Sequence, residues 1–222
     1  MLIDDVVKAW TTYSSTYMDG IKNTLLLAFV GTLFGCLIGF LCGILQTIPY
    51  KNNDSGVKKF LIKLLRGIIR VYVEFFRGTP MVLQAVFFYY GLPYLTQGAK
   101  LWSSVWACAM LVVSINTGAY MAETVRGGIL SIDKGQTEGA KAIGMNHWQT
   151  MLYVIMPQVF KNILPQIGNN YIINVKDTSV MFVITFTEFF AAHRAVVGAT
   201  YLYFPSAVIE MIGYLTMTLV AS

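Results

Sequence analysis

Three stretches of this chain run without a charge for longer than a membrane is thick. Between Lys22 and Lys51 there are 28 uncharged residues, between Arg77 and Lys100 there are 22, and between Lys100 and Glu123 another 22. A bilayer core of roughly 30 Å needs about 20 apolar helical residues. The pattern therefore predicts spans over about 24–48, 75–96 and 101–122, the second disturbed by Pro80 and Pro93. A fourth span is expected over 158–176, although it carries Lys161 and many amides. A fifth is expected over 200–221, where Glu210 is the one charge. Residues 178–195 read as too short and too polar to cross. The fold class is all-α integral membrane with about five transmembrane helices. Residues 1–19 read as an external N-terminal segment and 20–220 as the transmembrane domain.

Between the first two spans the period changes. Lys59, Lys63, Arg66, Arg70, Glu74 and Arg77 recur at steps of three and four, which places them on one helical face, with Phe60, Leu64, Leu65, Ile68, Ile69 and Val73 on the rest. This predicts an amphipathic helix over 57–77 lying at the interface. In span one, Gly31, Gly35, Gly39 and Gly43 fall every fourth residue, a spacing that lets another helix approach backbone to backbone.

Composition agrees. Lys and Arg number 16 and Asp and Glu 11, 12% of the chain, against 56% apolar residues. That excludes an ordinary soluble enzyme, a disordered tail and a nucleic-acid partner. The net charge of +5 suits a lipid bilayer surface instead. Cys36, Cys42 and Cys108 sit in apolar runs and read as small hydrophobes. Segments 49–77 and 123–150 hold ten basic residues against five on the opposite side, which places both in the cytoplasm and the N-terminus outside. The start of the chain lacks the basic residues of a cleavable signal peptide.

The loop 123–150 carries ordered signals. Asp133 with Gln136 fits a capping box, Gly144 suits a left-handed helix stop, and Asn146 with Gln149 repeats the capping signal toward Pro157. Two short capped helices on the cytoplasmic side suit a docking knob. The small Gly139 and Ala140 would approach a partner while Glu138 and Lys141 pair at its rim.

Polar residues within the spans mark a solute route or interhelical glue. Gln158, Asn162, Gln166, Asn170 and Asn174 repeat every fourth residue, and Asn116, Tyr120 and Glu123 form a second face. Glu188, in an apolar run, is either a solute ligand or the partner of Arg194, His193 or Lys176. Glu74 with Arg77 and Glu123 with Arg126 read as helix-end ion pairs. A membrane enzyme is disfavoured, since His147 and His193 are the two histidines and lie in different regions. A proton-coupled carrier titrating Glu188 and Glu210 is the alternative.

The residues Glu138-Gly-Ala-Lys-Ala-Ile-Gly144, then nine residues, then Val154-Ile-Met-Pro157, resemble the EAA loop of binding-protein-dependent ABC importers, E-A-A-x3-G-x9-I-x-L-P. Gly139, Val154 and Met156 depart mildly. The run Ala122 to Gln136, including Gly135, resembles the polar amino acid permease branch, as do Glu74-Phe-Phe-Arg-Gly-Thr-Pro80 and Lys176-Asp-Thr-Ser179. The resemblance covers about 20–220. It implies a type I ABC importer permease fold of five core helices with cytoplasmic coupling helices, and a polar amino acid as solute. It also implies a second permease subunit, identical or homologous, two ATP-binding subunits and an external amino-acid-binding protein in a prokaryotic cell membrane. The chain stops at Val220-Ala-Ser222, where the resemblance implies a continuing basic tail. No G-x4-G-K-[ST] loop occurs, so this chain is expected to bind no cofactor. ATP and Mg would be used by the partner subunits.

Overall fold

A computed structural model describes residues 2–50, 54–98 and 104–222; Lys51, Lys100 and the first residues of the predicted 101–122 span lie outside them. All regular elements among the described residues are helical. Two compact units form, one from Met1–Leu33, Thr79–Ser114 and Asn169–Ser222, the other from Phe34–Gly78 and Ile115–Gly168.

Helix α1, Leu2–Thr47, starts 22 residues ahead of the predicted span. The N-terminal polar residues did not prevent helix formation because the stretch holds no Pro and a single glycine, Gly20; the one irregularity is Tyr13, at φ −116° and ψ 20°. The helix ends ahead of Pro49, which disfavours helical geometry at the residue before it. Helix α2, Gly56–Gly78, is the amphipathic helix. The Ser55 hydroxyl accepts from Lys58 N at 3.3 Å at its start, and Thr79-Pro80 stops it.

The predicted 75–96 span is thereby corrected. Its first residues belong to α2, and the apolar part is a separate short run, α3 (Met81–Val86), a π turn (Phe87–Gly91) and α4 (Leu92–Leu95). Gln84 Nε2 donates to Thr79 O at 3.0 Å and to Thr79 Oγ1 at 2.9 Å, which fixes the break. Helix α5, Val105–Leu130, crosses as predicted in kind but runs eight residues past 122.

After the loop helices α6 (Lys134–Ala142) and α7 (His147–Gln149) and a π turn at Thr150–Ile155, α8 runs Met156–Asp177 and continues as a 3-10 turn to Ile184. Thr185, in the left-handed region at φ 64°, ends it. Helix α9, Phe189–Thr200, follows at a 53° bend, and the helical run His147–Ile184 together with α9 is long and apolar enough to count as one bent span, so 178–195 belongs to that bent pair. Helix α10 is Tyr203–Ala221. Three helices, α1, α5 and α10, are each long and apolar enough to cross, and the bent pair raises this to four, against the five expected. The shortfall lies in the second span, split by Thr79-Pro80.

Packing is tight where small residues permit it. A Cβ on Gly31 would lie 2.3 Å from Val113 Cγ1 in the first unit, and one on Gly35 would lie 2.6 Å from Thr117 Cβ in the second. On Gly39 it would lie 2.3 Å from Met121 Cβ, and on Gly43 2.7 Å from Val125 Cβ. In lipid the surroundings are as apolar as the helix, so contact of this closeness, rather than the hydrophobic effect, holds helices together. Tyr17, Phe189, Val196 and Ile209 core the first unit, and Met121, Val125, Ile155 and Val159 the second. Leu33, Leu37 and Leu41 of α1 and Met211, Leu215 and Leu219 of α10 stay exposed, as lipid-facing residues should.

Candidate functional site

The loop 131–157 forms a knob whose inner residues, Met151 and Ile155, pack in one cluster with Met121 and Val125. Asp133 accepts from Gly135 N at 2.8 Å and caps α6. The expected box does not form: Asp133 takes Gly135 N rather than Gln136 N, and Gln136 uses its Oε1 to accept from Gln158 Nε2 at 3.2 Å. Gly144, at φ 84°, closes α6: Gly144 N donates to Lys141 O at 3.0 Å and Met145 N to Ala140 O at 3.0 Å. This is a Schellman closure, and a side chain at that φ is strained. Asn146 and Gln149 complete a full capping box at 2.9 Å each way. Pro157 has no N–H to donate, the turn ahead of it widens to π spacing, and Gln158 Nε2 donates to Val154 O at 2.8 Å.

The sequence places Gly139 and Ala140 together on the docking face. The structure separates them: Gly139 is exposed, with nothing within 4 Å of a Cβ placed there, whereas Ala140 is buried in the knob. One residue along a helix turns 100°, so adjacent positions cannot share a face. Glu138 and Gly135 are exposed beside Gly139. Ile143 is 76% exposed and Trp148 59%, unusual for large apolar side chains on a polar loop. Burial and the Lys141 charge hold His147 below its ordinary pKa, and its Nε2 is buried without a partner.

The polar residues of the spans divide between the units. In the first, Glu188 is fully buried and caps α9: Oε2 accepts from Phe190 N and Oε1 from Ala191 N, each at 2.7 Å, and the Tyr214 hydroxyl donates to Oε2 at 3.2 Å. The partners expected for it, Arg194, His193 and Lys176, are elsewhere engaged or apart: Arg194 stacks on Phe182, and His193 lies 3.4 Å from Glu210. Asn170 is buried, and Asn174 donates to Thr32 Oγ1 at 2.8 Å. Sequence reasoning missed a buried chain in which Tyr17 and Ser206 hydroxyls meet at 2.6 Å and His193 Nδ1 lies 2.9 Å from Ser206. Ser206 and Glu210 at a spacing of four on one helix were its visible signal.

In the second unit, buried Asn116 donates to Phe76 O at 3.1 Å, while Tyr120 and Gln166 are exposed. Of the two ion pairs the spacing suggested, Glu123 with Arg126 forms at 3.1 Å and Glu74 with Arg77 does not. Glu74 pairs with Arg70 at 2.7 Å, four residues back, and Arg77 reaches Glu123 at 2.7 Å, leaving its helix. Glu123 also holds Arg126 at 3.1 Å, and the Arg77 guanidinium lies 5.4 Å from the Tyr120 ring centre. Spacing within one helix cannot reveal a partner on another.

These features are matched among known proteins. A family model described as "Binding-protein-dependent transport system inner membrane component" matches residues 59–221. The glutamine transport system permease protein GlnP of Escherichia coli K12 is 33% identical over 205 residues, 92% of this chain and 87% of that protein. The arginine transport system permease protein ArtQ of Bacillus subtilis is 32% identical over 203 residues, 91% of this chain and 86% of that one. A crystal structure of an amino acid ABC transporter superposes with a TM-score of 0.81 at 32% identity, covering 95% of this chain and 91% of that one. The MetNI methionine ABC transporter shares the fold, with a TM-score of 0.73 at 17% identity over 93% and 91% of the two chains. The capped knob, the apolar helices and the extent of these matches agree: the chain belongs to the family of binding-protein-dependent transport system inner membrane components.

Proposed function

We propose that this chain is the transmembrane subunit of an ATP-driven importer that carries a polar amino acid across a prokaryotic cell membrane. Family membership replaces the proton-coupled carrier suggested by Glu188 and Glu210. In this reading a second permease subunit, two ATP-binding subunits and an external amino-acid-binding protein complete the transporter, and the partner subunits use ATP and Mg. The basic bias of 49–77 and 123–150 supports their cytoplasmic placement and an external N-terminus. Labelling of a cysteine introduced at residue 137 from outside sealed cells would reverse that topology.

The observation that carries the proposal is the knob. It is capped at each helix start, yet it exposes Ile143 and Trp148 as well as Glu138 and Gly139. A polar loop with an uncovered apolar patch fits a separate protein partner, here the ATPase, whose closure it would transmit to the spans. The solute contacts are assigned to Tyr120 and Gln166, which are exposed, while buried Asn116, Asn170 and Glu188 hold their helices.

Gly139 offers a clean test. Its Cβ direction is open, so Gly139→Leu leaves this chain's own fold undisturbed, whereas Ala140→Leu would disrupt the knob. Gly139→Leu is expected to abolish amino-acid uptake and co-purification of the ATPase while membrane insertion and thermal stability hold. Normal uptake with Gly139→Leu and Glu138→Lys together would remove the knob from coupling.

A further inference from the structure

A second site lies in the unit formed by Phe34–Gly78 and Ile115–Gly168. Arg66, Arg70, Arg77, Glu74, Glu123 and Arg126 line a cavity of about 470 Å³. That is within the roughly 300–1,000 Å³ usual for small-ligand sites. Glu123 and Arg126 lie near the end of α5, past its uncharged run, so the cavity sits at the cytoplasmic end of that helix in the topology proposed above.

The charges do not balance. Four guanidiniums meet two carboxylates, so two positive charges are left over among the cavity walls. Arg77 and Arg126 converge on the single carboxylate of Glu123, each through one nitrogen. A guanidinium has five N–H donors, so both keep donors to spare. Arg66 donates to Ile48 O, yet its Nε is buried without a partner. A structural ion-pair cluster would end near neutrality with its donors used. This one has donors in excess and room beside them.

We infer that this cavity is a waystation for the solute, in which Arg77 and Arg126 take the α-carboxylate and Glu123 the α-ammonium. The inference rests on the amino-acid importer reading and adds the part of the solute recognised. A zwitterion enters such a network by exchanging partners: its carboxylate replaces part of Glu123 on the guanidiniums while its ammonium takes up the freed carboxylate oxygen. No net charge is added, and each charged group keeps an opposite charge. Tyr120, stacked on Arg77, lies at the same place on α5. Because the contacts are to the backbone groups of the solute, recognition is independent of its side chain.

The test uses the complete transporter in proteoliposomes, with radiolabelled glutamine and arginine as probes. Arg126→Gln is expected to lower the maximal uptake rate about tenfold, as the loss of one charge-assisted contact implies, and equally for whichever probe is carried. The external half-saturation, set before the solute reaches this chain, should not move. Lys63→Gln, on α2 but outside the cavity, should transport at the parental rate. The charge exchange Arg77→Glu and Arg126→Glu with Glu123→Arg, which keeps both ion pairs of residue 123, separates the two roles. A structural pair would be restored by it, whereas a solute site built on these positions would stay impaired. Recovery of uptake in the exchanged variant, or a parental rate for Arg126→Gln, would overturn the inference. Failure of the parental transporter to move either probe, or any other amino acid, would instead sink the importer reading itself.

Discussion

Gly39→Ala tests the packing of α1 on α5 with one methyl group. The added Cβ would lie 2.3 Å from Met121 Cβ, 2.8 Å from Met121 carbonyl carbon and 3.0 Å from Ala122 N. Two of these are backbone atoms and the third is fixed to the backbone, so no rotamer change relieves them. Carbon atoms sit comfortably at about 3.5–4.0 Å, so the helices must part locally by roughly 1 Å. Overpacking of this kind costs about 1–3 kcal/mol. Replacing glycine inside a helix returns about 0.5–1 kcal/mol. The net loss is therefore up to about 2.5 kcal/mol, toward the upper end here because backbone atoms are struck. At about 2–4 °C per kcal/mol for a chain of this size, the midpoint of thermal unfolding should fall by several degrees. Gly127→Ala is the control: it lies on α5, is exposed, and has nothing within 4 Å of its Cβ. It gains the propensity without the clash and should raise the midpoint slightly. The assay is thermal unfolding of the purified protein in detergent, followed by fluorescence of its tryptophans. Equal midpoints for Gly39→Ala and Gly127→Ala would refute the reasoning, since propensity alone would then account for both.

Glu188→Ala should lower stability and yield by more than Glu188→Gln, by about 1–3 kcal/mol, because Ala leaves Phe190 N, Ala191 N and the Tyr214 hydroxyl without their acceptor; equal yields would remove the cap from the stability argument. Gly144→Val forces a branched side chain to φ 84° and should cost at least about 1–2 kcal/mol, read as loss of uptake with the spans still inserted; parental uptake would show that the knob tolerates another closure. His147 titrates below its ordinary 6.5, so the knob's stability is complete above pH 6.5 and is lost as pH falls through the lowered value. Proteolysis of the loop should accelerate on acidification from pH 7 to 5 in the parental chain and less in His147→Gln; identical acceleration in both would assign the effect elsewhere.

The caps of the loop were legible in the order of its residues. Asn146 with Gln149 is a contact three residues long, and Gly144 follows from the left-handed geometry at a helix end. Local chemistry decides both. The period of α2 and the uncharged runs were legible for the same reason, since solvent and lipid act on each helix separately. The resemblance to the transporter family was likewise carried in part by residues close in sequence, Glu138 to Pro157, within the 59–221 that the family model matches.

What the sequence left open depends on who stands opposite. Adjacent Gly139 and Ala140 look equivalent on paper, and only the packing of α6 against the turn at Thr150–Ile155 sends one out and the other in. Arg77 has Glu74 three residues away, yet α5 brings Glu123 within 2.7 Å while Glu74 turns to Arg70. Glu188 has three cations near it in sequence and uses none of them, because the helix start at Phe189 offers two unpaired N–H groups at shorter range. The sequence by itself determined a membrane protein, its interfacial helix and the local closures of its loop, because each is settled within a turn or two of helix. The tertiary structure alone decided the pairing of Arg77 with Glu123, the burial of the Glu188 cap against Tyr214 and the charged cavity, because each joins side chains from helices far apart in the chain.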